Sequence, residues 1–320
     1  MSSTLRHIAF VHTDRSQLLP ALVAMHSLRS RGGGADRLDV RLLQQQGTEL
    51  DERRDGQRYR AHGDAVWNHA DPFTCHYLRR WVPELVGFRG RALVVDPDVF
   101  AVGSIIPLFE TDMRGKALLA QYHPHGYAND GRPIHSTGVM LLDCTKLTHW
   151  RWRDEIDDLF AGRVDAMDML QLANEPADSI GELDERWNSM DKLTPETRLL
   201  HFTRLSTQPW AAGLPLPHHR YDPTAPIPEP SWWQRRLGIR PQRRCRRHPD
   251  PVQEKLFIDL LAECLGQGLL SEAFVRAERS AGHLRRDIFK MLAESGYRAG
   301  SATGTSLFDE VGSQAMPFAL

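Results

Sequence analysis

A short apolar strand that ends in two acidic residues constrains this chain more than any other segment. It reads ALVVDPDVF over residues 92–100, so Asp96 and Asp98 follow the apolar run directly. At the carboxyl end of a buried strand in an open α/β sheet, side chains project into the crevice where ligands bind. Two carboxylates at that place suit Mg²⁺ or Mn²⁺, with water and substrate phosphates completing the coordination. The segment therefore predicts a metal–diphosphate site at a strand end.

The first two hundred residues alternate short apolar strands with helices. Residues 7–12 predict an opening strand, and apolar side chains at helical spacing predict a helix over residues 18–30. Further strands are predicted at 38–43, 92–96, 116–121, 138–142 and 198–202, and a helical stretch at 73–86. This order is typical of an α/β fold whose sheet is mostly parallel and flanked by helices.

The composition of the chain changes after Trp210. Residues 213–251 are rich in proline, which excludes a continuous helix or strand and predicts a strap over the surface. Periodic apolar residues then predict a helical extension over 252–293, with helices at 252–265, 271–279 and 284–292, and a glycine-containing tail follows at 294–320. We therefore expect an α/β domain at 1–212 followed by these three segments, within the size that one large core and an appendage allow.

Charge, hydropathy and cysteine content exclude several classes of protein. The net charge of −1 predicts no general attraction to nucleic acid. No apolar stretch approaches the roughly 18–20 residues of a membrane span, and the polar start MSS lacks the core of a signal peptide. The four cysteines lie far apart, which favours reduced thiols over disulfides or a zinc site. A cytoplasmic protein is expected.

An arginine-rich segment lies within the proline-rich region. Arg235 to Arg247 contains seven arginines, and no acidic residue occurs between Glu229 and Asp250. In one interpretation the arginines form an ordinary solvated surface with their stems lying along apolar groups. In the others they meet an acidic glycan, nucleic acid or anionic lipid, and the lipid would hold the protein peripherally at the inner membrane face.

Several motifs occur in a fixed order along residues 7–210. They are IAFVHTD at 8–14, YLRRWVPEL at 77–85 leading into the strand at 92, STGVMLLD at 136–143, MDML at 167–170, ERWN at 185–188, and HFT with QPW at 201–210. The ordered set resembles glycosyltransferase family 8, which includes bacterial lipopolysaccharide galactosyl- and glucosyltransferases and glycogenin. The resemblance implies a GT-A fold, a Rossmann-like mixed and mostly parallel sheet, here with a small helical C-terminal extension.

The resemblance also implies a role for individual residues. Asp96 and Asp98 would hold Mn²⁺ or Mg²⁺ against the diphosphate of the donor, and His201 would be the third protein ligand. Arg79 would contact the phosphates or the donor sugar, where a guanidinium forms forked hydrogen bonds to an oxyanion. Asp168 would bind donor hydroxyls, so that Arg79 and Asp168 are the implied catalytic residues.

The nucleotide sugar would be held by a wider set of side chains. They are His12, Thr13, Asp14, Arg79, Pro97, Ser136, Thr137, Gly138, Arg204 and Gln208. Gly138 would let the backbone approach the sugar, since it has no Cβ. Gln208 stands where the family has a lysine, so Arg204 is the candidate for the missing charge. Ala166 and Met167 replace an acidic residue and a glutamine, and neither can act as a nucleophile.

The implied activity is metal-assisted transfer of a hexose from a nucleotide-diphosphate sugar, with uracil as the base, to a glycan or lipid-linked acceptor of the cell envelope. Retention would follow a front-face route that needs no protein nucleophile. One alternative is a non-catalytic binding protein for nucleotide sugars or glycans that keeps the fold. A second is a phosphatase of the haloacid-dehalogenase type, in which the first aspartate is the nucleophile; that pattern requires Thr or Val where Phe100 stands.

Overall fold

The computed structural model describes residues 6–123, 134–216, 236 and 243–298. The chain divides into two compact units, the first ending at His201 and the second beginning at Phe202. The four segments predicted at 1–212, 213–251, 252–293 and 294–320 stay predictions. Most of the proline-rich segment and residues 299–320 lie outside the described residues. No helix in the described ranges has the length and apolar character needed to cross a membrane.

The first unit contains eleven described strands and five α-helices. The strands are β1 (His7–Thr13), β2 (Leu38–Gln44), β3 (Arg58–Arg60), β4 (Asp64–Val66), β5 (Arg91–Val95), β6 (Val99–Ala101), β7 (Leu118–His123), β8 (Ile134–Asp143), β9 (Ile180–Glu182), β10 (Ser189–Met190) and β11 (Leu199–His201). The α-helices are α1 (Leu18–Arg31), α2 (Val82–Leu85), α3 (Ile106–Phe109), α4 (Trp152–Phe160) and α5 (Ala166–Leu170). Short 3-10 helices are Glu52–Arg54, Thr74–Trp81, Cys144–Lys146, Ala177–Ser179 and Glu185–Trp187.

Six strands form the central sheet in the order β2-β1-β5-β8-β7-β9. β1 pairs in parallel with β2 and β5, and β7 pairs in parallel with β9, whereas β8 is antiparallel to both of its neighbours. Five strands therefore share one direction and β8 opposes them. The mixed, mostly parallel sheet with flanking helices confirms the predicted fold class. Because β8 is reversed, its amino-terminal half lies beside the carboxyl end of β5, with Val139 opposite Val95.

The apolar runs form strands here because both faces of the sheet are covered. Ala92 to Val95 of β5 are fully buried, as are Ala9 and Val11 of β1. α1 is buried from Leu18 to Leu28, so over this length it has no solvent-exposed face of the kind that an amphipathic surface helix shows. Burial on all sides explains why these segments read as continuous apolar runs.

β8 changes register against β7 in the middle of its length. Ala120 pairs with Met140, but the next residue of β7, Gln121, pairs with Ser136. Residues 137–139 of β8 therefore have no partner on β7, although Val139 still pairs with β5. An interruption of this kind bends a strand and re-aims its side chains. It displaces Thr137 and Gly138 at the edge where β5 ends.

A second, three-stranded sheet has the order β10-β11-β6. β11 pairs in antiparallel fashion with β6, and the register places His201 opposite Val99. The strand predicted at 198–202 is confirmed, although it belongs to this small sheet and not to the central one. A two-stranded hairpin of β3 and β4 lies in the polar region between β2 and the 3-10 helix Thr74–Trp81, where no strand is predicted from the sequence.

The helical stretch predicted at 73–86 is mainly a 3-10 helix, Thr74–Trp81, followed by α2. With three residues per turn, side chains at i and i+3 lie one above the other. His76 and Arg79 therefore share one face and contact each other, with Arg79 Nη2 at 3.0 Å from His76 Nδ1. Arg80 turns away and binds Glu155 and Glu175.

The second unit contains the 3-10 helix Leu205–Thr207 and three α-helices, α6 (Pro251–Gly266), α7 (Glu272–Ser280) and α8 (Ile288–Glu294). They match the helices predicted at 252–265, 271–279 and 284–292. Arg285 is almost fully buried and donates to Glu254 at 2.6 Å, to Asp287 at 2.6 Å and to the carbonyl of Pro209 at 3.1 Å. One arginine thus joins the Pro209 turn, α6 and the start of α8.

The Arg285 cluster predicts acid sensitivity of the second unit. Burial acts to raise the pKa of Glu254, but hydrogen bonds from Arg247 and Arg285 outweigh burial and lower it. The hydrogen bond from Arg285 also lowers the pKa of Asp287. A carboxyl whose pKa is lower in the folded state stabilises the fold above its unfolded pKa, near 4, and loses that contribution as pH falls through the folded value. Denaturant titrations between pH 7 and pH 3 should show this loss, and Arg285→Met should be less stable at pH 7 with a flatter pH dependence. Equal pH profiles for the two proteins would contradict the prediction.

Candidate metal and diphosphate site

Three side chains of kinds that can ligate a metal converge where β5 ends. Asp96 follows β5, and the turn at Pro97 and Asp98 leads into β6. Because β6 pairs with β11, the register sets His201 beside the turn that carries Asp98. Residues separated by more than one hundred positions are thus brought together by one antiparallel pair.

The geometry of these residues fits a divalent cation. One ligand atom from each of Asp96, Asp98 and His201 lies within 4.8 Å of the others. His201 Nε2 is 3.3 Å from Asp98 Oδ1 and 3.9 Å from Asp96 Oδ2. All three residues are buried. Two carboxylates and one imidazole facing a common point form a donor set suited to Mn²⁺ or Mg²⁺.

The two oxygens of Asp96 have different neighbours. Oδ1 accepts from Arg79 Nη2 and lies 3.2 Å from His12 Nε2. Oδ2 is the oxygen that faces His201. Asp96 therefore contacts Arg79 with one carboxylate oxygen and faces His201 with the other, and both neighbours fix its orientation.

Arg79 is held by the interrupted part of β8. Its Nη1 donates to Thr137 Oγ1, and that hydroxyl donates to the carbonyl of Leu170 at 3.0 Å. Arg79 is 5% exposed, and its Nε has no hydrogen-bond partner within the described residues. The buried guanidinium thus keeps one donor that this part of the chain does not use. A planar, permanently charged group in this position suits a phosphate oxyanion.

His12 is fully buried beneath Arg79. Burial and the positive charge of Arg79 lower the pKa of His12 to about 3, so the ring is neutral at physiological pH. His12 Nε2 lies 3.0 Å from His76 Nδ1. Because Arg79 also donates to His76 Nδ1, that nitrogen is an acceptor, and His12 Nε2 carries the proton. Both histidines therefore support the arginine and Asp96 by hydrogen bonding.

The acidic pair favours positive charge at His201. Burial acts in the opposite direction, but Asp98 and Asp96 outweigh it and raise the pKa of His201. A proton on the imidazole or a divalent cation between the ligands can supply that charge. On its other side, His201 Nδ1 contacts Asn188 Oδ1 at 2.8 Å. A second partner of this kind is usual for histidines that ligate metals.

Gly138 packs directly against the ligands. Its carbonyl accepts from the backbone N–H of Asp96 at 2.9 Å. A Cβ at this position would lie 2.4 Å from His201 Cε1 and 3.1 Å from Asp96 Oδ2. The backbone and the histidine ring can approach this closely only because position 138 has no side chain.

Gly138→Ala should therefore move His201 away from the acidic pair. We expect Mn²⁺ affinity to fall about 10-fold or more while the central sheet still forms, since loss of support for a metal ligand typically costs 10–100-fold. Isothermal titration with MnCl₂ measures the change. Gly266→Ala is the matched control, because its Cβ meets nothing within 4 Å. Unchanged affinity in Gly138→Ala would show that the ring contact does not position the ligand.

Asp168 lies on α5, the helix whose Leu170 accepts from Thr137. Its Oδ1 is 3.3 Å from Nε2 of His62, a residue in the turn between β3 and β4. The backbone N–H of His62 donates to Asp165 at 2.8 Å. Asp168 is thus held toward the hairpin, and its assignment to donor hydroxyls stays a prediction.

The remaining predicted residues are divided between the two units. In the first unit, Thr13 ends β1, Pro97 lies in the turn after β5, and the Ser136 hydroxyl accepts from Asn188 Nδ2 at 3.2 Å. The Asp14 carboxylate accepts from the backbone and side chains of Ser16 and Gln17, so it stabilises the turn before α1. Arg204 and Gln208 belong to the second unit, where Arg204 is exposed and Gln208 donates to the carbonyl of Phe202 at 3.1 Å.

Three residues of the site are not predicted from the sequence. His76 precedes Arg79 by one 3-10 turn, Asn188 ends the ERWN motif, and Gln121 contacts Asn188 Nδ2 at 2.8 Å. The motif around Asn188 was a usable signal, because it is part of the ordered set. His76 and Gln121 depend on the 3-10 geometry and on the register change of β8, for which the sequence has no local marker.

Comparison with known proteins gives matches among solved structures. No family model matches the sequence. No curated protein matches it. The glycosyltransferase GlyE of Streptococcus pneumoniae TIGR4 is similar at 19% identity and a TM-score of 0.46, over 64% of this chain and 56% of GlyE. The galactosyltransferase LgtC, solved with donor and acceptor sugar analogs, is similar at 16% identity and a TM-score of 0.40, over 63% of this chain and 89% of LgtC. Mouse xyloside xylosyltransferase 1 is similar at 13% identity and a TM-score of 0.41, over 62% and 98% of the two chains. This chain spans just over half the length of GlyE.

Proposed function

We propose that this chain is a metal-dependent glycosyltransferase that moves a hexose from a nucleotide-diphosphate sugar to a glycan or lipid-linked acceptor. The observation that carries the proposal is the buried group of Asp96, Asp98 and His201 with Arg79 hydrogen-bonded to Asp96. Side chains that could hold a cation lie with a guanidinium at the carboxyl end of a central strand, and this combination would suit a diphosphate. The ordered motifs that resemble glycosyltransferase family 8 support the same proposal.

The charge of the site determines how it would promote transfer. A bound Mn²⁺ or Mg²⁺ would neutralise the charge that develops on the leaving nucleoside diphosphate. The imidazole among the ligands favours Mn²⁺ over Mg²⁺, which prefers oxygen. Arg79 would place its positive charge beside a phosphate oxygen, and Thr137 would keep the guanidinium in place. Because these groups are fixed before the donor binds, little reorganisation accompanies the reaction.

The donor sugar would lie beside the interrupted part of β8. Gly138 would admit the ring close to the backbone, and Asp168 would accept from its hydroxyls. Ala166 and Met167 supply no nucleophile, so the proposed route is front-face, with the acceptor oxygen entering beside the departing phosphate and retention at the anomeric carbon. Uracil is the proposed base, held near His12, Thr13 and Asp14.

A panel of UDP- and GDP-sugars with Mn²⁺, Mg²⁺ or EDTA tests the proposal through release of nucleoside diphosphate. We expect release from one of the donors, stimulation by acceptor glycans, and loss in EDTA. Tight donor binding without release or transfer would favour the non-catalytic binding protein. Phosphatase activity that survives His201→Ala would favour the phosphatase. Either result would overturn the proposed activity.

We also propose that the Arg235 to Arg247 region holds the protein against anionic lipid at the cytoplasmic face of the inner membrane. Much of this region lies outside the described residues. Arg244, Arg246 and Arg247 are exposed, and Arg247 is also paired with Glu254 at 2.5 Å. Flotation with phosphatidylglycerol vesicles should show binding that Arg243→Ala/Arg244→Ala/Arg246→Ala reduces. Absence of binding, or an unchanged triple variant, would contradict the proposal.

A further inference from the structure

A chain of side-chain amides supports the histidine of the candidate metal site. Asn188 is fully buried and lies between the 3-10 helix Glu185–Trp187 and β10. Its Oδ1 contacts His201 Nδ1 at 2.8 Å, and its Nδ2 contacts Gln121 Oε1 at 2.8 Å and Ser136 Oγ at 3.2 Å. Every polar atom of the Asn188 side chain is thus engaged, and Oδ1 is the atom that faces the histidine.

The direction of these hydrogen bonds determines where His201 carries its proton. With Nδ2 donating to Gln121 and Ser136, Oδ1 is the atom that faces the imidazole, and an amide oxygen can only accept. Nδ1 must therefore be the protonated nitrogen. Nε2, which lies 3.3 Å from Asp98 Oδ1, is left as the nitrogen that can offer a lone pair to a cation.

We propose that Asn188 is a positioning residue that holds His201 in the Nδ1–H form, with Gln121 and Ser136 holding Asn188 in turn. The inference rests on the proposed metal site and adds to it a specific support. The register change in β8 makes the support possible, because it places Ser136 beside Gln121 on the same side as Asn188. The Asn188 amide thereby links β7 and β8, through Gln121 and Ser136, to the candidate metal ligand His201.

Substitutions at position 188 separate the hydrogen bond from simple packing. Asn188→Leu has a similar volume but cannot accept from Nδ1, whereas Asn188→Asp can. We expect Asn188→Leu to weaken Mn²⁺ binding by about 10–100-fold and Asn188→Asp to retain wild-type affinity or exceed it. Gln121→Leu should cause a smaller loss in the same direction. Gln253→Leu, which removes a buried amide of the second unit, is the matched control.

A direct reading of the imidazole completes the test. Nitrogen-15 NMR of histidine-labelled protein with Mg²⁺ distinguishes the Nδ1–H from the Nε2–H form, and we expect the Nδ1–H form for His201 in the wild type and in Asn188→Asp. Wild-type Mn²⁺ affinity in both Asn188→Leu and Gln121→Leu, or a neutral ring protonated at Nε2 alone in the Mg²⁺-loaded wild type, would overturn the inference. If Asn188→Leu does not fold, Gln121→Leu and the wild-type spectrum still decide. A wild-type protein that binds no Mn²⁺ would instead contradict the proposed metal site.

Discussion

Asp98→Asn is expected to abolish metal-stimulated release of nucleoside diphosphate. The substitution preserves the volume of the side chain but removes one of the two carboxylates that face His201. Loss of one fixed electrostatic group at a reacting centre typically lowers kcat by about 10²–10³-fold, and loss of the cation itself adds to that. We therefore expect kcat/KM to fall by about 10³-fold or more, together with loss of Mn²⁺ binding in calorimetry.

Asp143→Asn is the matched control for this prediction. Asp143 ends β8, pairs in register with Arg91 at the start of β5, and accepts from Thr145 in a helix cap. It therefore lies at the opposite edge of the sheet from Asp98, and asparagine is also a good cap. Wild-type activity is expected in this variant. Metal-stimulated release that persists within 10-fold in Asp98→Asn would show that the acidic pair does not hold the cation.

Arg80→Ala is expected to cause the largest loss of stability. Arg80 donates to Glu155 at 2.8 Å and to Glu175 at 3.0 Å, and its guanidinium lies 4.0 Å from the ring centroid of Trp150. Burial acts to raise the pKa of Glu175, but Arg80, His149 and Trp150 outweigh burial and lower it. The pKa of Glu155 is raised by burial, although Arg80 acts to lower it. Removing the arginine leaves two carboxylates in a low-dielectric region, which should cost about 3–5 kcal/mol in the free energy of unfolding.

Urea denaturation followed by circular dichroism measures this effect. Arg163→Ala is the control, because its ion pair with Asp158 is solvent-exposed and should contribute less than about 1 kcal/mol. The double variant Arg80→Met/Glu155→Leu should recover part of the loss, since it removes one of the unpaired charges along with the arginine. A loss in Arg80→Ala no larger than in Arg163→Ala would mean that the buried network adds nothing to stability.

The sequence predicts those parts of the fold in which one segment contains its own signal. α1, β1 and β5 have apolar runs or helical spacing strong enough to predict them within one or two residues. The β3–β4 hairpin has strands of only three residues, and in β4 the two exposed residues are Asp64 and Val66, so any alternation is too short and too irregular to predict it. Its formation depends on pairing between the strands and on contacts with α5 such as His62 with Asp165.

The candidate site shows the same division. Asp96, Asp98 and His201 are predicted as a group from the order of the motifs, and the structure places them together. The sequence could not show that Arg79 and Arg80 contact different partners, because that depends on the 3-10 twist of Thr74–Trp81. Asn188 likewise acquires its role only when the second sheet sets His201 opposite Val99.

The residues of β8 that have no partner on β7 can change in type without altering how these two strands pair. Residues 137–139 have no partner on β7, although Val139 pairs with Val95 of β5, so a side chain of this segment can be exchanged while Gln121 stays paired with Ser136 and Ala120 with Met140. In the proposed glycosyltransferase, such exchanges would change the donor site while the strand pairing stays the same. Libraries that vary position 137 while keeping Gly138 would test this, with Mn²⁺ binding measured in each variant because Thr137 also holds Arg79.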